Sequence, residues 1–217
     1  MKVGTDAVLL GAWVEISNTK RILDVGTGCG IIALMLAQRT KEDVNIEGIE
    51  IDEKSAQQAE ENLLETRWYN RVLMHLYAFQ TFRSPFKYDL IVSNPPYFIN
   101  SQLPPKAHRA KARHTDSLSY KDVLHHSVRL LKTKGRLAVI LPLEEGKIFL
   151  SLAKEVGLYA NRQLSFYSRK EKPQERWLFE FSFHAIPIKK EKLILHGEGQ
   201  SWSEDYKKLT RDYYLNI

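Results

Sequence analysis

Arg21-Ile22-Leu23-Asp24-Val25-Gly26-Thr27-Gly28-Cys29-Gly30, running straight into Ile31–Arg39, decides the fold. A short apolar run stops at a glycine-rich turn, and a continuous apolar helical run follows at once. Strand, tight turn and helix in that order open a βαβ unit. Gly26 and Gly28 let the backbone approach a ligand closely, because no Cβ stands in the way. The helix behind them presents N–H groups that have no intrahelical partner. Asn45–Ile51 reads as the second strand, and Glu50 near its end lies 22 residues after Gly28. A carboxylate there can accept hydrogen bonds from two ribose hydroxyls.

Two ligand classes fit this turn. A nicotinamide cofactor prefers Gly-x-Gly-x-x-Gly, but here the third glycine comes one place early and Ile31 fills the expected slot. An adenosyl ligand without phosphates fits at least as well. Asp24 would repel a pyrophosphate, yet it can help to hold a cationic amino group through water.

Working outward, strands and helices alternate, which predicts a doubly wound, mostly parallel, seven-stranded Rossmann-like sheet in one domain over residues 1–217. Asp52 is a plausible N-cap for an amphipathic helix over Glu53–Glu65. Val72–Tyr77, Tyr88–Ser93 and Arg136–Leu141 read as strands three to five. Tyr120–Leu131 and Glu144–Val156 read as helices. Strands are expected near Gln163–Tyr167 and Trp177–His184, joined by a charged hairpin connection over Arg169–Arg176. The tail adds a strand at Lys192–Leu195 and a short helix over Glu204–Arg211. Residues 99–117, polar and basic, read as a long loop.

The fourth strand ends in Asn94-Pro95-Pro96-Tyr97. Two successive prolines remove two backbone donors and set φ twice, so the strand cannot continue. The stiff loop presents the Asn94 side chain, a carbonyl with no local N–H partner and an aromatic face. Those are the parts needed to grip a planar amine: two acceptors and a ring to stack on.

The 217 residues, with 43% hydrophobic content, are ordinary for a globular protein. No run is apolar and long enough to span a membrane, and no metal constellation stands out. The single cysteine, Cys29, cannot form an internal disulfide, so the expected setting is cytoplasmic. Of the net charge of +6, residues 1–100 carry ten Lys and Arg against thirteen Asp and Glu, and residues 101–217 carry 22 against 13. The densest stretch, Lys106–Arg136, has nine Lys and Arg against two Asp and also includes His108 and His114. It reads as a phosphate-binding footprint, with a solvated lysine-rich surface as the alternative.

Asp24–Gly30, Glu50-Ile51-Asp52 and Asn94–Tyr97 resemble motifs of the class I S-adenosylmethionine-dependent methyltransferases that act on an exocyclic or amide nitrogen. Lys2-Val3-Gly4-Thr5-Asp6, Leu9–Trp13, Arg113-His114-Thr115 and Leu209–Leu215 are similar to segments of the bacterial tRNA(Val) adenine-N6-methyltransferases. The resemblance covers essentially the whole chain. It implies S-adenosylmethionine as cofactor, with Gly26, Thr27, Gly28 and Gly30 lining its methionine portion and Asp24, Thr5 and Asp6 near that end. It implies Glu50 on the ribose, Ile51 on the adenine and Asn94 facing both ligands. Tyr77-Ala78-Phe79 lacks the acid found after strand three in many relatives, which leaves backbone groups to read the adenine. For the target base it implies Asn94 and the Pro95 carbonyl as acceptors, Tyr97 as stacking partner, and Pro96, Phe98, Arg113 and His114 as further contacts. The partner it implies is tRNA, bound by a monomer with no metal.

Other functions remain compatible with these residues. A glutamine-N5 protein methyltransferase uses the same grip, although the basic second half speaks against it. An adenine methyltransferase acting on DNA would need a target-recognition domain that is not visible in the chain. A noncatalytic RNA-binding protein or a dehydrogenase would leave the Asn94 loop unexplained.

Overall fold

β1 (Arg21–Val25), β2 (Asn45–Glu50) and β4 (Tyr88–Ser93) are rich in Ile, Leu and Val and are buried along most of their length. Strands buried on both faces need a layer of helices on each side. A computed structural model describes residues 4–97 and 118–214 and shows that arrangement. Phe98, Arg113, His114 and the segment 99–117 lie outside the described residues.

β3 (Val72–Leu76), β5 (Leu131–Pro142), β6 (Tyr159–Tyr167), β7 (Arg176–Ser182) and β8 (Lys189–Ile194) complete one sheet of order β3-β2-β1-β4-β5-β7-β6-β8. β3, β2, β1, β4 and β5 run parallel, and β7 pairs antiparallel with β5. Among the described residues the sheet therefore has eight strands where seven were expected. The tail strand pairs in parallel with β6 over Arg162↔Lys189 to Tyr167↔Ile194, so it extends the sheet and does not stand apart.

Side chains alternate between two cores with the period of a strand. Ile22, Leu90, Val92, Ala138 and Ile140 face one core, which α1 (Thr5–Trp13) and α2 (Ile31–Arg39) cover. Leu23, Val25, Ile91, Leu137 and Val139 face the other, beneath α4 (Tyr120–Leu130) and α5 (Leu143–Glu155). α3 (Glu53–Leu64) joins β2 to β3, and α6 (Glu204–Thr210) closes the described chain. Asp52 caps α3 by accepting from Ser55 N at 2.9 Å, as its sequence predicts.

α1 has no counterpart in the sequence reading. Ala7 to Trp13 are all buried, so no polar stripe marks its helical period. Gly11 allows it to press onto α2, where an added Cβ would lie 2.8 Å from Met35 Sδ. The helix matters because its first turn lies at the carboxyl ends of the strands.

The chain runs outward from β1 through β2 to β3, then returns to place β4 on the other side of β1. The connections leaving the carboxyl ends of β1 and β4 therefore run in opposite directions, and open α/β sheets bind ligands in the crevice this leaves. Arg176, paired with Pro142, brings the start of β7 to the same edge.

Candidate active site

The glycine turn is strapped to the end of β2. Gly26 N and Thr27 N both donate to the Ile49 carbonyl, at 2.9 and 3.0 Å. Gly26, Gly28 and Gly30 have φ of 69°, 59° and 83°, so side chains at these points would be strained. Glu50 folds back over the turn. Its Oε2 accepts from Gly28 N at 2.8 Å, and its Oε1 accepts from Ile51 N and Asp52 N at 2.9 and 3.0 Å. A carboxylate has about four acceptor sites, so one stays open. Beside it, Ile51 and Tyr77 are exposed apolar side chains at the mouth of the crevice.

Asp24 is fully buried beneath the turn. Its Oδ2 accepts from Thr27 Oγ1 at 2.6 Å and Ala33 N at 3.2 Å. Its Oδ1 is buried and has no hydrogen-bond partner. Burial pushes the carboxyl up to about 7; the Thr27 and Ala33 bonds hold it down in part, and the nearby Glu50 charge adds to the rise.

The second half of the site is the loop after β4. Ser93 is buried and donates from Oγ to the Val25 carbonyl at 2.9 Å, which ties the end of β4 to the end of β1. Asn94 follows directly, partly buried, with Pro95 buried and Pro96 exposed. Tyr97 Oη donates to Asp6 Oδ2 at 2.5 Å and stands 3.0 Å from Asn94 Oδ1. Burial and then the Asp6 charge raise the Tyr97 phenol above its ordinary value. Asp6 also accepts from Arg176 Nε at 2.9 Å, and the Arg176 guanidinium lies 5.3 Å from the centre of the Tyr97 ring. Burial opposes the charge on Arg176, but the Asp6 bond outweighs it and raises its pKa.

The structure thus gathers Thr5, Asp24, Gly26, Thr27, Gly28, Gly30, Glu50, Ile51, Asn94, Pro95, Pro96 and Tyr97 on one edge of the sheet. It adds Arg176, which the sequence reading left in a hairpin; only strand pairing places it here. The basic stretch behaves differently. Lys132, Lys134 and Arg136 lie at the start of β5, where Leu131 pairs with Tyr88 and Arg136 with Leu90. That is the amino-terminal end of β4, opposite Asn94. Lys132 is bound to Asp89 at 2.8 Å, and Arg136 donates to the Glu15 carbonyl at 2.8 Å. This part of the expected phosphate footprint does not border the site. Residues 106–117 of it lie outside the described residues.

A glycine turn after β1, an acid ending β2 and Asn-Pro-Pro-Tyr ending β4 meet at the carboxyl ends of an α/β sheet, the place where enzymes of this architecture bind their ligands. A family model described as the methyltransferase small domain matches residues 3–157. A tRNA1(Val) (adenine(37)-N6)-methyltransferase of Bacteroides thetaiotaomicron is 44% identical over 217 residues, covering 100% of this chain and 92% of that one. One of the same description from Trichodesmium erythraeum is 44% identical over 218 residues, covering 99% and 91%. Among solved structures, a predicted O-methyltransferase of Agrobacterium tumefaciens superposes with a TM-score of 0.74 at 17% identity, covering 95% and 96% of the two chains. The glycopeptide N-methyltransferase MtfA, solved with S-adenosylmethionine, superposes with a TM-score of 0.61 at 10% identity, covering 85% and 90%. Both show the shared fold. The chain belongs to the methyltransferase small domain family and, within it, to the tRNA1(Val) (adenine(37)-N6)-methyltransferase family.

Proposed function

We propose that the chain transfers a methyl group from S-adenosylmethionine to N6 of an adenine in the anticodon loop of a valine tRNA. The observation that carries this reading is the Asn94-Pro95-Pro96-Tyr97 loop held against the glycine turn through Ser93 and Val25.

The crevice fits an adenosyl cofactor. The partnerless Oδ1 of buried Asp24 suits a cationic amine, directly or through water. A Cβ at Gly26 would meet nothing within 4 Å, so the space before the turn is open. Thr27, Gly28 and Gly30 line the same methionine end, with Thr5 beside it. Glu50 takes the ribose, and Ile51 packs on the adenine. Bound there, the cofactor supplies an electrophilic methyl on a sulfonium.

The protein's own task is alignment. An adenine amine is a weak nucleophile because its lone pair is delocalised into the ring. Asn94 Oδ1 and the Pro95 carbonyl accept its two N–H bonds and localise that pair. Positive charge builds on the nitrogen as it is methylated, so both acceptors hold the transition state more tightly than the ground state. The methylated nitrogen is acidic and loses its proton to solvent, so no strong base is needed. Tyr97 stacks on the extruded base, worth about 1–3 kcal/mol. A loop adenine costs less to flip than a paired one. Pro96, Phe98, Arg113 and His114 complete the substrate side of the proposal. The chain acts as a monomer in the cytoplasm, a reducing setting that suits its single cysteine.

The test is transfer of labelled methyl from S-adenosylmethionine into bulk bacterial tRNA, followed by nucleoside analysis. Labelled N6-methyladenosine is expected. Label in protein and none in tRNA would favour the glutamine-N5 reading instead. Asn94→Ala should cut turnover by roughly 10²–10³-fold and leave cofactor affinity nearly intact.

A further inference from the structure

Asn94 Oδ1 has a competitor for its acceptor role inside the protein. The Tyr97 hydroxyl stands 3.0 Å away, close enough to donate to it. An Asn94 oxygen that accepts from a phenol has less capacity left for the incoming amine. Yet a phenol has only one proton. Asp6 Oδ2 lies at 2.5 Å from the same hydroxyl, against 3.0 Å for Asn94, and is a carboxylate where Asn94 offers a neutral amide. Charge-assisted hydrogen bonds are shorter and roughly twice as strong as neutral ones. Asp6 therefore wins the proton.

Asp6 is itself held in place. Arg176 Nε donates to the same Oδ2 at 2.9 Å. This contact joins the first turn of α1 to the first residue of β7. The Arg176 guanidinium lies 5.3 Å from the Tyr97 ring centre. The guanidinium also hydrogen-bonds the Tyr97 hydroxyl, so Asp6, Tyr97 and Arg176 form one cluster. The phenol is partly buried and its pKa is raised, so it keeps its proton at working pH and the competition is real.

The geometry points to Asp6 as a positioning residue that draws the Tyr97 proton away from Asn94, and to Arg176 as the residue that anchors Asp6 for that task. Asp6 touches no reacting atom. Its effect is to keep the Asn94 oxygen open for the target amine. Where the amide turns over, Asn94 Nδ2 instead donates to the Tyr97 oxygen, and Oδ1 then faces away from the phenol. In either orientation the phenol proton belongs to Asp6.

This inference rests on Asn94 being the acceptor for the target amine, and it makes a suppression prediction that a structural role for Asp6 would not. Asp6→Ala leaves the phenol with Asn94 Oδ1 as its nearest acceptor. Turnover on tRNA is expected to fall tenfold or more, with cofactor affinity by calorimetry within threefold of wild type. Removing the hydroxyl as well, in the double variant Asp6→Ala/Tyr97→Phe, takes away the competitor and keeps the stacking ring. Its kcat is expected to recover at least threefold over Asp6→Ala alone. Arg176→Gln should show a smaller kcat loss that Tyr97→Phe also relieves, which keeps the test open if Asp6→Ala fails to fold. Melting curves identify that case. A double variant no faster than its parent, for Asp6→Ala or for Arg176→Gln, overturns the inference. Asn94→Ala run alongside separates the two levels. If it retains turnover, the reading of Asn94 itself fails. If it is inactive and suppression is absent, only the role of Asp6 fails.

Discussion

Asp24→Asn should gain stability relative to wild type as pH rises, in the protein without its cofactor, while weakening its grip on the cofactor. The carboxyl is fully buried, and its pKa stands at about 7 against an ordinary 3.8. At 1.36 kcal/mol per pH unit, that gap corresponds to ~4 kcal/mol of folding free energy. For an acid raised in the folded state, the stabilisation is fully present below the unfolded value, near pH 4. It is lost as pH rises through the folded value, near 7. About 1–2 kcal/mol of it has gone by pH 5, which leaves roughly 2–3 kcal/mol between pH 5 and pH 8. Asparagine does not titrate, and its oxygen can still accept from Thr27 and Ala33. Its amide nitrogen then lies where Oδ1 has no partner, at a cost of about 1–3 kcal/mol that does not change with pH. The quantity to follow is therefore the change with pH in the difference between variant and wild type. Every other titrating group is common to both and cancels. At about 0.46 kcal/mol per kelvin for a chain of this size, 2–3 kcal/mol moves the difference in Tm by roughly 4–6 °C between pH 5 and pH 8. Thermal melts at four pH values would measure it. Parallel Tm curves for the two proteins would refute the argument, because Asp24 would then titrate alike in folded and unfolded chains. Wild-type affinity for S-adenosylmethionine should also rise with pH through 7, since a cationic amine favours the ionised carboxylate. That rise should be absent in Asp24→Asn.

Glu50→Gln keeps the shape of the side chain but turns one of its two acceptor oxygens into an NH2 donor that faces a backbone N–H; cofactor affinity by calorimetry should fall by roughly tenfold or more, about 1.4 kcal/mol. Gly146→Ala would put a Cβ 2.4 Å from Trp177 Cδ1 in a packed ring cluster, and denaturant melts should show a loss of about 1–3 kcal/mol. Gly48→Ala meets the flexible Met74 side chain first, at 2.6 Å from Sδ, and should cost less than Gly146→Ala in the same melts. Lys134→Ala, at the far end of the sheet from Asn94, should leave both tRNA affinity and its salt dependence unchanged in filter binding at low and moderate salt.

Much of the site was legible in the sequence because its parts are local. The strand, turn and helix over residues 21–39 appear as read, and so does the Asp52 cap. The prolines at 95 and 96 end β4 where they must. Each of these follows from backbone chemistry within a few residues. α1 was missed because burial on every side erases the amphipathic period, and its role became visible only when its first turn met Tyr97. The Lys132–Arg136 end of the basic stretch misled because charge density along the chain carries no direction. β5 runs from Leu131 at one end of the sheet to Pro142 at the other, so Lys132 and Lys134 lie far from Asn94 in space.

The sequence by itself determined the class of chemistry. Gly26 to Gly30, Glu50 and Asn94 to Tyr97 are short-range patterns whose geometry is set by φ limits, missing donors and side-chain length. Only the tertiary structure decided which distant residues serve them. Asp6 and Arg176 are 170 residues apart and meet because β7 pairs antiparallel with β5 and begins where β5 ends. Hydrogen bonds of that kind depend on where two backbones are brought together in space, and no local pattern in the chain encodes that.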